Sequence, residues 1–91
     1  MDKEVATHAA ETLKAVAHPV RLQIVAQLEK NREMCVNDIV SALGAKHSIT
    51  SQQLPMMKDK GILTCRRQGP KVFYRILNES VIRVLHCIYD H

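Results

Sequence analysis

The sequence predicts a mainly α domain carrying one small β-hairpin, in the order α-α-α-α-β-β-α. Three observations lead there. Apolar residues recur at helical spacing as far as residue 60, and the period changes to alternation after Gly61. Pro19, Gly44 and Gly61 stand where helices start or stop. The aromatic residues are Phe73, Tyr74 and Tyr89, so Leu, Ile, Val, Ala and Met must fill the core, a composition that favours helices.

The first helix is expected from about Ala6 to Ala17, with Ala6, Ala9, Leu13, Val16 and Ala17 at helical spacing. It stops at His18, because the residue before a proline is pushed out of the helical region. Pro19 suits the first turn of a second helix, whose Leu22, Val25 and Leu28 share a face and which frays in the polar stretch Lys30-Asn31-Arg32-Glu33. A third helix, Val36 to Leu43, places Val36, Ile39, Val40 and Leu43 together and ends at Gly44. The fourth begins between Lys46 and Ser48, with Ser48 able to cap it, and reaches Lys60. Two helices joined by a short turn containing a glycine form a helix-turn-helix outline. Pro55 removes a backbone hydrogen bond in the fourth helix and should bend it.

From Ile62 to Arg67 and from Lys71 to Ile76 the chain is extended, with Gln68-Gly69-Pro70 between, which predicts a hairpin. Cys65 takes an inward-alternating site there, as a small hydrophobe. A start signal at Asn78 or Ser80 opens the last helix, which aligns Val81, Val84, Leu85 and Ile88.

A chain of 91 residues is expected to make one domain, residues 1–91, and to bury too little surface to be comfortable alone. A homodimer built on the first and last helices would cover Leu13 and the stripe Val81, Val84, Leu85 and Ile88. No apolar run approaches the roughly 20 residues of a membrane helix. The opening Met1-Asp2-Lys3-Glu4 is unlike a secretion leader, and Cys35, Cys65 and Cys87 are an odd, scattered set. A cytoplasmic location with free thiols, and no membrane partner, is therefore expected.

The net charge of +4 is unevenly placed: residues 44 to 76 carry seven Lys and Arg against one acid, and the remainder six against eight. A segregated cationic face suits a polyanion, because Lys and Arg release counterions from phosphates. Charge alone leaves a merely solvated basic face as an equal reading. No glycine-rich phosphate loop, nucleophile elbow or paired carboxylates appear, and the five His stand singly, so no enzyme and no cofactor are expected.

Ala17-His18-Pro19-Val20-Arg21-Leu22-Gln23-Ile24 resembles the opening of the second helix in the ArsR/SmtB family of bacterial repressors. The likeness continues through Val36-Asn37-Asp38-Ile39, Ala42-Leu43-Gly44, Ser51-Gln52-Gln53-Leu54, Lys60-Gly61-Ile62-Leu63 and Arg66-Arg67-Gln68-Gly69, then Val72-Phe73-Tyr74-Arg75-Ile76. It spans roughly residues 12 to 90, in order and spacing. The resemblance implies a winged helix-turn-helix that binds operator DNA as a homodimer and acts as a transcriptional repressor. Three positions depart from the family: Thr50 replaces a small apolar residue, its methyl making part of the inward contact, Gln53 replaces a His, and Pro55 replaces a Lys or Arg.

In that context the fourth helix would enter the major groove with His47, Ser48, Ile49, Ser51, Gln52 and Gln53, a short-armed set without acids. Gln pairs with adenine, and an exposed Ile49 suits a thymine methyl. Arg66, Arg67 and Lys71 around the hairpin tip would reach phosphates or the minor groove, whereas Arg75 suits a salt bridge at least as well. A module that binds an acidic protein through the same face is the alternative of another class.

The family's metal sites do not carry over. Asn37 stands where the box after Cys35 has its second cysteine, and on the last helix Asn78 and Ser80 stand at the family's Asp and first His, leaving only His91 of that ligand set. No metal is therefore expected, a nonstandard site being the alternative. Cys35, just before the third helix, and Cys87, on the last, are the candidate thiol sensors of a repressor released by a thiol-reactive signal. No small effector is identifiable from these residues.

Overall fold

The computed structural model describes residues 2–89, and the side chains of residues 2–87. Its elements are α1 (Lys3–Val16), α2 (Pro19–Asn31), β1 (Glu33–Cys35), α3 (Val36–Leu43), α4 (His47–Asp59), β2 (Leu63–Gln68), β3 (Lys71–Ile76) and α5 (Ser80–Tyr89). The predicted order holds with one addition, the strand β1. Glu33 was expected in the frayed end of α2, but Glu33, Met34 and Cys35 pair antiparallel with β3, so that the sheet runs β1-β3-β2.

Local chemistry explains the boundaries. α1 starts earlier than expected because Asp2 caps it, its Oδ1 accepting from the Val5 N–H at 2.8 Å. His18 is extended, as its place before Pro19 demands, and its Nδ1 accepts from the Val20 N–H to cap α2. Gly44 closes α3 with φ of +64°, a left-handed conformation that suits glycine. Ser48 does not cap α4: the cap is Lys46, without a side-chain bond, and Ser48 lies inside the first turn. α4 runs as one helix through Pro55, which has no N–H to give to the Ser51 carbonyl. The hairpin turn is the pair Gly69-Pro70, with Gly69 at φ +60°, and Gln68 pairs with Lys71 instead of joining the loop.

α2 is the hub, packing against α3, α4, α5, β1 and β3. Ile24, Val25 and Leu28 bury its inner face, and the core takes Ile39 from α3, Leu54 and Met57 from α4, and Leu63 and Tyr74 from the sheet. His86 of α5 meets Glu29 of α2 at 2.5 Å beside this core.

The two outer helices depart from expectation. Val81 and Leu85 are 1% and 7% exposed, consumed by the core of the protomer itself, and Val84 is half-buried. The Ile88 side chain lies outside the described residues. On α1 the buried residues are Thr12, Ala15 and Val16, while Leu13 is 49% and Val5 52% exposed. The apolar surface left for a second copy thus lies on α1, where Val5, Ala9 and Leu13 recur every fourth residue, rather than on Val81 and Leu85. One short core needed more of α5 than a helical wheel can reveal.

Two stability outcomes are expected. Thr50 is fully buried and its hydroxyl has no hydrogen-bond partner, so Thr50→Val should stabilise the fold by about 1 kcal/mol, raising Tm by roughly 4–8 °C. An unchanged or lower Tm in a thermal melt would show that the hydroxyl is satisfied. Leu85→Asp should abolish the cooperative melt, because a carboxylate would enter the core unpaired. A folded monomer by circular dichroism and sizing would instead return Leu85 to the interface between copies.

Candidate nucleic-acid interface

α4 presents a defined surface because its other side is sealed. Thr50, Leu54 and Met57 are buried, and at 3.6 residues per turn Ser48, Gln52, Pro55 and Asp59 fall on the opposite side. All four are exposed, with Ile49 and Met56 beside them at 42% and 39%. His47 is exposed at the start of the helix. Asp59 puts an acid at the C-terminal end of this side, so the half that suits a polyanion runs from His47 to Gln52. Ser51 is half-buried, its hydroxyl turned back toward the Ser48 carbonyl at 3.4 Å.

Gln53 differs from its neighbour. It is half-buried, and its Oε1 accepts from Nε of Arg21 at 2.7 Å. The same guanidinium donates to the Ala15 carbonyl at the end of α1, at 3.0 Å, and meets the Met56 sulfur at 2.7 Å. Arg21 therefore joins α1, α2 and α4. It entered the sequence reading only within the α2 motif, since no local pattern shows a contact spanning 32 residues.

The three bases expected at the hairpin tip divide. Arg66 is a clamp within the fold rather than a free phosphate ligand. Its Nε and Nη2 grip both oxygens of Glu33 at 3.0 and 2.7 Å, and Nη1 donates to Gln68 at 2.7 Å. Its carbon lies 4.6 Å above the centre of the Phe73 ring. Arg75 faces Glu33 across the β1–β3 pair, which places it in the same charged group. Arg67 and Lys71 are exposed and make no hydrogen bond or ion pair among the described residues, so they remain available. Glu33 was missed because its role exists only once β1 pairs with the sheet.

The thiols separate by burial. Cys35, at the β1–α3 junction, is 6% exposed, which corrects its reading as the reactive thiol: a reagent reaches it only when the junction opens. Cys65 is half-buried opposite Tyr74, and Cys87 is exposed on α5. All three are free. Among the described residues no three His, Cys, Asp or Glu are grouped to hold a metal, and no helix is long and apolar enough to cross a membrane. His91 lies outside the described residues.

Residues 18–64 match the family described as bacterial regulatory protein, arsR family. The chain is 40% identical over 82 residues to the transcriptional repressor PagR of Bacillus anthracis, covering 87% of this chain and 82% of that protein. The chain belongs to the ArsR family. It is also 35% identical over 83 residues to the HTH-type transcriptional repressor SmtB of Mycobacterium tuberculosis, across 91% of this chain but only 61% of SmtB's length. The crystal structure of PagR superposes with a TM-score of 0.83 at 34% identity, covering 96% of this chain and 99% of that one. A homodimeric winged helix-turn-helix DNA-binding domain of Mb0332 from Mycobacterium bovis, solved by NMR, gives 0.74 at 32% identity, covering 98% and 83%. The fold is accordingly the winged helix of this family, with β2 and β3 as the wing and β1 fastening it to α3.

The clamp makes the wing sensitive to acid. The Arg66 guanidinium, through its hydrogen bonds first, holds the Glu33 carboxyl below the usual carboxylate range, against a smaller opposing effect of desolvation. A depressed carboxylate contributes above its unfolded pKa and loses that contribution as pH falls through the folded value. The tether should therefore be complete above about pH 5 and open below the usual carboxylate range. The Arg66 Nε–H resonance should report this in NMR and stop responding in Glu33→Gln; a wild-type resonance unmoved by acid would mean the pair does not form.

Proposed function

We propose that this chain is a transcriptional repressor that binds operator DNA as a homodimer, inserting the N-terminal half of α4 into the major groove and laying the wing tip on the backbone. One observation carries the reading: the exposed half of α4 from His47 to Gln52 has no acid, and it stands on the same sealed core as a wing whose Arg67 and Lys71 have no partner among the described residues. Ser48, Ile49, Gln52 and Gln53 are the base-reading set, Ser51 flanks it, and His47, Arg67 and Lys71 hold phosphates. Arg66 supports the wing from behind through Glu33. The names of PagR and SmtB as transcriptional repressors, and of the Mb0332 domain as homodimeric and DNA-binding, agree with this assignment.

The second copy is assigned to the α1 stripe of Val5, Ala9 and Leu13, together with the half-buried Val84 of α5, a helix that packs against α1. Helix pairing about a two-fold axis covers such a stripe and sets the spacing of the two α4 helices to about one turn of the duplex. We place the domain at residues 1–91, in the cytoplasm, with no catalytic role, cofactor or membrane partner. With Cys35 enclosed, the exposed Cys87 is left as the candidate thiol for a reactive signal, and we assign no effector.

Binding should weaken steeply with salt, as phosphate contacts from two subunits require. Arg67→Ala should weaken all duplexes about equally and flatten the log-log salt slope by about 1 for each subunit's lost contact. Gln52→Ala should cost about 1–3 kcal/mol on the cognate site and little elsewhere. Fluorescence anisotropy on operator and unrelated duplexes, read across salt, separates the two effects. Equal losses from Gln52→Ala on every sequence would refute the assignment of α4 as the reading element.

A further inference from the structure

Gln52 and Gln53 are adjacent and chemically identical, yet only one of them is free. Neither amide atom of Gln52 is engaged among the described residues, and the side chain is exposed. It can offer an oxygen and an N–H together, the pair that adenine's N6 amino group and N7 require. The amide of Gln53 is held against Arg21. A guanidinium has donors and no acceptor, so the atom facing it must be the amide oxygen, and the orientation of this amide is settled by chemistry. Arg21 is itself fixed by its bonds to the Ala15 carbonyl and the Met56 sulfur, and cannot swing away with the glutamine.

What remains of Gln53 is its Nε2 group, which is not buried and has no partner among the described residues. It can only donate. In the major groove guanine presents two acceptors, N7 and O6, and no donor, whereas adenine and cytosine each place an amino group there. A donor-only amide can give both N–H groups to guanine, whereas adenine offers N7 alone beside a competing amino donor, thymine a single O4, and cytosine no acceptor.

We infer that Arg21 is a specificity-determining residue, which turns Gln53 into a donor-only reader that selects guanine over adenine at the base pair it faces while Gln52 reads adenine beside it. Arg21 does so without touching DNA. The inference rests on the major-groove reading of α4 proposed above.

The test is selection of binding sites from randomised duplexes by the full chain, comparing wild type, Gln53→Ala, Arg21→Met and Arg21→Lys, with a thermal melt for each variant. The wild type should show a base pair in each half-site at which guanine exceeds adenine by roughly tenfold, and Gln53→Ala should erase that preference. Arg21→Met frees the amide to turn, so adenine should rise to within about twofold of guanine at the same pair, other positions being unchanged. Arg21→Lys keeps a donor for Oε1 and should retain the guanine preference. Three results overturn the inference while leaving DNA binding intact: Gln53→Ala erasing a preference for adenine, Gln53→Ala altering no position, or a folded Arg21→Met keeping the wild-type preference throughout. Should Arg21→Met fail to fold, Gln53→Ala still decides by which base loses its advantage. A wild type that selects no sequence refutes the DNA-binding reading itself, and the inference with it.

Discussion

The burial of one side of α4 is the constraint on which the interface depends. Thr50, Leu54 and Met57 enter a core built around α2, and their burial turns Ser48, Ile49 and Gln52 outward. Loss of that packing would leave the helix free to rotate, and with side chains spaced by about 100° a small rotation would exchange one reading residue for another. The unpartnered hydroxyl of Thr50 at the centre of this seal carries a cost, and the fold bears it where the apolar contact of the Thr methyl matters most.

Two polar contacts complete what the core begins. Arg21 fastens the side of α4 to the end of α1, so the helix proposed to meet a second copy and the helix proposed to meet DNA share one guanidinium. The Glu33–Arg66 pair fastens the wing to the strand that leads into α3. Both Arg66 and Glu33 are partly open to solvent, where such a pair adds little to global stability. Its consequence is geometric: a bidentate grip stacked on Phe73 restricts the angle of the hairpin that carries Arg67 and Lys71.

Much of this was legible in the amino acids. The order of helices and hairpin follows from apolar spacing, from Pro19 and from Gly44, all local signals that the structure retains. β1 was not legible, because Glu33-Met34-Cys35 is too short to show alternation and becomes a strand only through pairing with residues some forty positions later. Periodicity identified the apolar side of α5 but could not say whether its own core or a second copy would cover it; Val81 and Leu85 show that the core came first. The charges of Arg66 and Arg67 are equal in sequence, and so are the amides of Gln52 and Gln53. Partners 33 and 32 residues away distinguish them.

In the function proposed here, the outward N-terminal half of α4 and the wing tip together form one DNA surface. An NMR titration of isotope-labelled protein with an operator duplex tests it most directly, since each backbone and side-chain amide reports its own surroundings. The largest shifts are expected at Ser48, Ile49, Gln52, Gln53 and the Arg67-to-Lys71 tip, with those of the groove between α2, α3 and α5, lined by Leu22, Ala26 and Leu43, left in place. Shifts centred on that groove, with α4 and the wing tip unmoved, would contradict it.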